Sequence, residues 1–155
     1  MISPFRIKCI RKQGYFKYSD SEISGLAFGN RFAFILCSAI LAIAVGTAHV
    51  PLLGFMMVVA FFGVILPYHP FDYIYNHLLR QPMKKPQLPP RSKQLKFACI
   101  IATAWLAVTI YLFYTGLLMA GYVLGTLLFG VAALVSTTDV CIPSMIYNFV
   151  FRVKG

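Results

Sequence analysis

FAFILCSAILAIAVGTAHVPLLGFMMVVAFFGVIL, residues 32–66, and FACIIATAWLAVTIYLFYTGLLMAGYVLGTLLFGVAALVSTT, residues 97–138, contain no charged side chain. Each block is too long for one membrane crossing and long enough for two, at about 20 residues per span. All 14 Lys and Arg residues lie outside the blocks. Arg6, Lys8, Arg11, Lys12, Lys17 and Arg31 precede the first; Arg80, Lys84, Lys85, Arg91, Lys93 and Lys96 separate the two; Arg152 and Lys154 follow the second. Two hairpins place these three basic segments on one face, and cytoplasmic loops are where Lys and Arg accumulate. The expected fold is an all-α integral membrane protein with four transmembrane helices, arranged as two similar parallel-repeat hairpins. Short amphipathic helices are expected after spans 2 and 4.

Composition agrees. At 59% apolar over 155 residues, with a mean hydropathy of +0.77, the chain is more apolar than soluble domains are. The net charge of +10 flanks apolar spans, so anionic lipid headgroups are the expected partner, at about 1 kcal/mol per basic side chain near the surface. Nucleic acid is not. Arg80, Lys84, Lys85, Arg91, Lys93 and Lys96 form the expected lipid-surface set. The first apolar run begins only after residue 30 and lacks a small-residue cleavage site, so no signal peptide is expected.

Residues 1–30 mix basic side chains with Phe5, Tyr15, Phe16 and Tyr18. This suits either a cytoplasmic basic tail or a segment lying on the membrane surface. Ser19, Asp20 and Ser21 can open a short helix by capping. Residues 31–80 form the first two-span hairpin with its amphipathic helix. Its first span covers residues 31–48, where Ser38, Ala42 and Gly46 recur every fourth position as a close-packing face. Pro67 and Pro70 end the second span. In the amphipathic helix, Phe71, Ile74, Tyr75 and Leu78 fall on one face, with Asp72 and Asn76 on the other. Residues 81–94 are a Pro-rich cytoplasmic linker on an extended path. Residues 95–155 form the second hairpin, spanning 95–114 and 117–138, and a short C-terminal helix. Gly121 and Gly125, with Gly130 beyond, make a packing face within the bundle, and Trp105 packs there too.

The halves resemble each other. Arg31-Phe32-Ala33 answers Lys96-Phe97-Ala98, and Ile74-Tyr75-Asn76 with Arg80 answers Ile146-Tyr147-Asn148 with Arg152. Each repeat has an even number of spans, so both enter the membrane in the same direction, related by an axis along its normal.

The candidates for chemistry are Cys141, His69 and Asp139. Pro143 can start a helix, which places Cys141 at a helix N-terminus where a thiolate is favoured. Asp139 opposes this, because a nearby negative charge raises a thiol pKa. A small apolar residue at a helix end accounts for Cys141 more simply. In the repeat register His69 stands where Cys141 does, so either an imidazole–thiol pair across the axis or a plain turn histidine fits. Cys9, Cys37, Cys99 and Cys141 all fall in the cytoplasmic half, where thiols stay reduced. No Cys-x-x-Cys pair, carboxylate pair or phosphate loop occurs, so no metal and no cofactor is expected.

Gly29-Asn30-Arg31-Phe32-Ala33, His69-Pro70, the Pro-Pro linker into Lys96-Phe97-Ala98, and Thr138-x-x-Cys141 followed by Tyr147 resemble a domain-of-unknown-function family of small bacterial membrane proteins. The resemblance covers residues 30–148 and implies the same topology, in a bacterial inner membrane. The family's C-terminal signature resembles Thr-Gly-Phe-Cys-x-x-Cys followed by Tyr. Here Cys141 matches the first cysteine, Ser144 stands in place of the second, and Asp139 replaces the glycine. The dithiol chemistry that such a signature permits therefore lacks its second thiol.

The leading functional expectation is a non-catalytic scaffold or accessory subunit with a membrane-protein partner or a second copy of itself. A thiol or sulfur-handling protein using Cys141 is the alternative. Small-molecule transport comes third, because the spans offer little polar pathway. The topology is testable: a reporter fused to the C-terminus should read as cytoplasmic, and one in the His49 turn as external. A C-terminal reporter active outside the cytoplasm overturns the assignment.

Overall fold

A computed structural model describes residues 2–153 and is helical throughout, with no strand among the described residues. The elements are α1 Pro4–Lys12, α2 Asp20–Gly46, α3 Val50–Ile65, α4 Pro70–Ile74 running into a π-helical turn at Tyr75–Leu79, α5 Lys93–Tyr114, α6 Leu118–Thr138 and α7 Ile142–Val150. Three of them, α2, α5 and α6, are long and apolar enough to cross a membrane. The count rises to four if α3 and the helix after it, bent by 80° at the break between them, form one span.

The apolar blocks locate these helices to within a few residues at most ends, with one large exception. Helix α2 starts at Asp20 and runs unbroken for 27 residues, whereas hydropathy places the first span at residue 31. Hydropathy marks where a helix meets lipid, not where the helix begins. The true start is a capping box: Ser19 Oγ accepts from Glu22 N at 3.4 Å, and Ser19 N donates to Glu22 Oε2 at 2.8 Å.

Helix α2 packs against α3 and α6, and α5 packs against α3, α6 and α7. Leu41, Ala44, Val45, Leu53, Met56, Leu106, Phe113 and Leu128 meet in the centre. In lipid there is no hydrophobic gain from helix association, so close van der Waals fit carries the packing. Gly125 shows how close it is: a Cβ there would lie 2.8 Å from Val45 Cγ2, and one on Gly121 would lie 2.9 Å from Phe113 Cδ1.

The other small residues divide, Ser38 buried as its spacing implied and Ala42, Gly46 and Gly130 not. Ser38 is buried and donates to Phe34 O at 2.8 Å. Ala42 and Gly46 are exposed, and Gly46 and Gly130 face open space. The four-residue spacing names a face of the helix without saying which face meets a neighbour.

The helix after α3 is rotated partway from its amphipathic reading. Asp72 and Asn76 are buried with Phe71 and Tyr75, while Ile74 and Leu78 are 39% and 68% exposed. The polar side chains turn inward because their partners are there, and apolar side chains at a membrane surface can face lipid at no cost.

The segment before α2 is packed against the helices rather than a loose tail. Helix α1 packs on α2 and α7, and Ile10, Tyr15, Ile23, Leu26, Tyr75, Leu88 and Leu95 form a second apolar cluster beneath it. Gln13 ties it down: its Nε2 donates to Asp139 O at 2.7 Å, and its Oε1 accepts from Asn30 Nδ2 at 2.9 Å.

Two leucine substitutions separate packing glycines from open ones. Gly125→Leu should wedge α6 from α2 and lower both assembly and abundance. Gly130→Leu should leave both near wild type, as read by membrane yield and thermal melting. A silent Gly125→Leu would remove the close contact from this account.

Candidate functional site

Beyond the end of α3 the chain turns through Pro67 and His69 into α4, and the linker folds back onto that turn. Arg91 N donates to Pro67 O at 2.7 Å. The Arg91 side chain meets Asp72 as a fork, Nε to Oδ2 at 2.6 Å and Nη2 to Oδ1 at 2.8 Å. Both side chains are buried, and the guanidinium lies over the Phe34 ring, 5.3 Å from its centroid. Arg91 is therefore no lipid-surface cation, as its place in a basic linker implied. Nor is the linker a bare spacer: Leu88 is buried, and its N donates to Asn76 Oδ1 at 3.0 Å.

His69 caps α4. Its Nδ1 accepts from Phe71 N at 3.3 Å, and its own N donates to Asp72 Oδ2 at 3.1 Å. An accepting Nδ1 leaves the imidazole proton on Nε2. Burial, assisted by the Arg91 charge, pushes the His69 pKa down to about 3, so the ring is neutral at any physiological pH. Its edge lies over Gly63, where a Cβ would stand 2.6 Å from His69 Cδ2 and 2.9 Å from Cys99 Sγ. The imidazole and the Cys99 thiol are thus neighbours above one glycine.

Between the long helices is a cavity of about 170 Å³. His69, Arg91, Cys37, Cys99 and Cys141 line it together with Met56, Trp105, Leu106 and Leu128. A smaller pocket of about 130 Å³ lies outside it, against α1, lined by Cys9, Lys12, Gln13, Ser144 and Cys141. Among the described residues, Cys141 alone lines both. Sequence spacing pointed to Cys141 and His69, and both do line the inner cavity. It missed Cys37, Cys99 and Arg91, which reach it from three separate segments with no shared motif. Trp105, read as a packing residue, lines it as well.

Cys141 precedes the N-terminus of α7, but it forms no capping hydrogen bond there. Burial raises its thiol above the ordinary range, opposed by the Ser144 hydroxyl, which donates to Sγ at 3.1 Å. Desolvation outweighs the helix terminus, and the thiol stays protonated. Asp139 is fully engaged elsewhere. Arg6 Nε donates to its Oδ2 at 2.6 Å and Arg31 Nε to its Oδ1 at 2.8 Å, while Arg31 Nη2 donates to Thr137 O. Its backbone is left-handed, φ 63°, a conformation that suits glycine and that Asp tolerates better than most residues. Here a side chain is needed, because it holds two arginines. Among the described residues, no group of three or more His, Cys, Asp or Glu is arranged to hold a metal ion.

Residues 28–152 match a domain of unknown function, DUF4395. The chain belongs to this family. No curated protein and no solved structure matches it. The DUF4395 match begins inside α2 and ends just past α7. The Asp72–Arg91 pair, the cavity and Asp139 therefore lie within the DUF4395 domain, whereas α1, with Arg6 and Gln13, precedes it.

Breaking the buried pair should be costly. Arg91→Met leaves Asp72 buried without a partner and should destabilise the fold by about 3–5 kcal/mol. The double change Arg91→Met with Asp72→Leu should recover most of that loss in a thermal or chemical unfolding measurement. Equal damage from the single and double variants would mean that the pair is not what holds the linker.

Proposed function

We propose that the chain is a four-span protein of the bacterial inner membrane with both termini cytoplasmic, a four-helix bundle of two parallel repeats serving as a non-catalytic accessory subunit or scaffold. The carrying observation is that each group nominated for chemistry is taken up structurally. Asp139 is held by two arginines, the Cys141 thiol is held protonated by burial, and His69 is a neutral helix cap. The repeat reading is supported by equivalent contacts in the two halves. Phe32 packs on Tyr75 with ring centroids 6.1 Å apart, and Phe97 on Tyr147 at 5.4 Å. A repeat relating α2 to α5 and α3 to α6 would make the α2–α6 and α3–α5 contacts equivalent, and both helix pairs do pack.

Exposed small residues support a helix partner. Ala42 and Gly46 on α2 and Gly130 on α6 offer close approach to a neighbouring span, from another membrane protein or a second copy. The remaining exposed cations, among them Lys84, Lys85 and Lys93, fit anionic headgroups at the same face. A second reading, thiol handling through Cys141, is favoured by one separate observation: Cys141 is where the outer pocket with Cys9 and the inner cavity with Cys37 and Cys99 meet.

Mass spectrometry after gentle detergent extraction should find a stoichiometric partner or a dimer, lost in an Ala42→Leu, Gly46→Leu variant of normal abundance. A clean monomer from wild type overturns the scaffold reading. Cys141→Ala should leave cellular function intact; loss of function at normal abundance would establish the thiol reading instead. Because burial raises the Cys141 thiol, its alkylation should be slower at neutral pH than in the denatured chain. It should also keep rising at pH values where an ordinary thiol has levelled off.

A further inference from the structure

We propose that the inner cavity is a binding site for an uncharged, bilayer-soluble molecule whose ring carbonyl accepts a hydrogen bond from His69 Nε2. This goes beyond the accessory reading and rests only on its placement of the long helices in the membrane.

Size, polarity and access each restrict the ligand. A volume of about 170 Å³ is close to that of a dry apolar cavity known to hold benzene, about 150 Å³, so one small ring fits. The walls are apolar except at one end, where His69 and Arg91 stand. His69 is 4% exposed, and its Nδ1 is occupied by Phe71 N. Its Nε2–H has no hydrogen-bond partner among the described residues, and it is not one of the fully enclosed unpartnered polar atoms, so an acceptor can reach it. An acceptor entering the cavity gives it a partner that the protein does not supply. The ligand must be neutral, because Arg91 is already neutralised by Asp72 and an ion here would be desolvated with no counter-charge. The thiols and Met56 supply soft, polarizable contacts to a ring.

Access comes from the side. Of the lining residues on α2 and α3, Ala33, Leu41, Met56 and Ala60 are buried, and Phe34 and Cys37 are half-buried. Those on the other side, Ile101 and Trp105 of α5, Val131 of α6, and Ile142 and Ile146 of α7, are half-buried or exposed. Helix α7 packs on α5, and the exposed lining residues Ile142 and Ile146 both belong to α7, which puts the cavity's opening beside that helix. A ligand dissolved in the bilayer reaches it without crossing water, and any tail it carries can trail back into lipid.

Trp105 is the chain's single tryptophan and lines the cavity, so the protein carries its own reporter. Full-length protein in nanodiscs is titrated with duroquinone, a fully substituted ring that does not arylate thiols, while tryptophan fluorescence is followed. Durene, the same ring without carbonyls, is the competitor. Saturable one-site quenching is expected, with durene competing at least about tenfold more weakly, the worth of one hydrogen bond. Ala102→Phe, which fills the cavity, should abolish the saturable phase without lowering the melting temperature. His69→Ser retains a capping oxygen but has no N–H to offer the cavity, and should bring duroquinone down to the affinity of durene. Quenching that rises linearly and equally in wild type and Ala102→Phe overturns the site. Durene competing as well as duroquinone overturns carbonyl recognition, and that comparison needs no variant. Neither result depends on whether a partner protein is found.

Discussion

A carboxylate buried in the turn of chain beyond an apolar helix must have a counter-charge, and for Asp72 that partner is Arg91, 19 residues further along the chain. Buried ion pairs contribute little net stability relative to apolar replacements, yet leaving one partner alone is expensive. The pair therefore acts mainly by excluding other arrangements. To satisfy Asp72, the Pro-rich linker must fold back against the turn after α3, and this sets where α5 begins. The same carboxylate receives the His69 backbone N–H, which helps fix the cap of α4 and, through it, the tautomer of the imidazole. The polar end of the inner cavity follows from this one contact.

Asp139 makes a second clamp with partners much further away in sequence. Arg31 reaches it from α2 and Arg6 from α1, and Gln13 takes its backbone carbonyl. These contacts dock the N-terminal segment over the end of α6. They also cover the outer pocket that adjoins Cys141. Because α1 precedes the matched family domain, this cover is built from residues outside it onto an aspartate inside it. The resemblance places glycine at position 139, and a glycine there would suit the left-handed backbone but would leave both arginines without a partner.

Burial works against reactivity throughout the interior. Four cysteines line two adjoining cavities, and burial raises the Cys141 thiol at their junction. Neutral His69 and the self-neutralised Asp72–Arg91 pair complete an interior with polarity but no free charge. That environment suits holding an uncharged guest better than activating a nucleophile.

The four apolar stretches were legible because membrane length and hydropathy are local properties, readable from residues 32–66 and 97–138 alone. Capping was legible in part: Ser19 marks the opening of a helix, though by sequence a short one, while neither its partner Glu22 nor the cap at His69 was legible. The positions of the Gly121 and Gly125 faces could be proposed, but not their partners, Phe113 and Val45. Tertiary structure alone decided that Arg91 is buried while its linker neighbours Lys84 and Lys85 are exposed. It also decided that Asp72 and Asn76 turn inward, that Ala42 and Gly46 face outward, and that Cys37, Cys99 and Cys141 converge. The physical reason is the same in each case. A chain's own sequence sets which side chains prefer lipid, water or a partner. Which partner they find depends on segments brought together only by folding, and at a membrane surface an apolar side chain has two acceptable destinations while a buried charge has one.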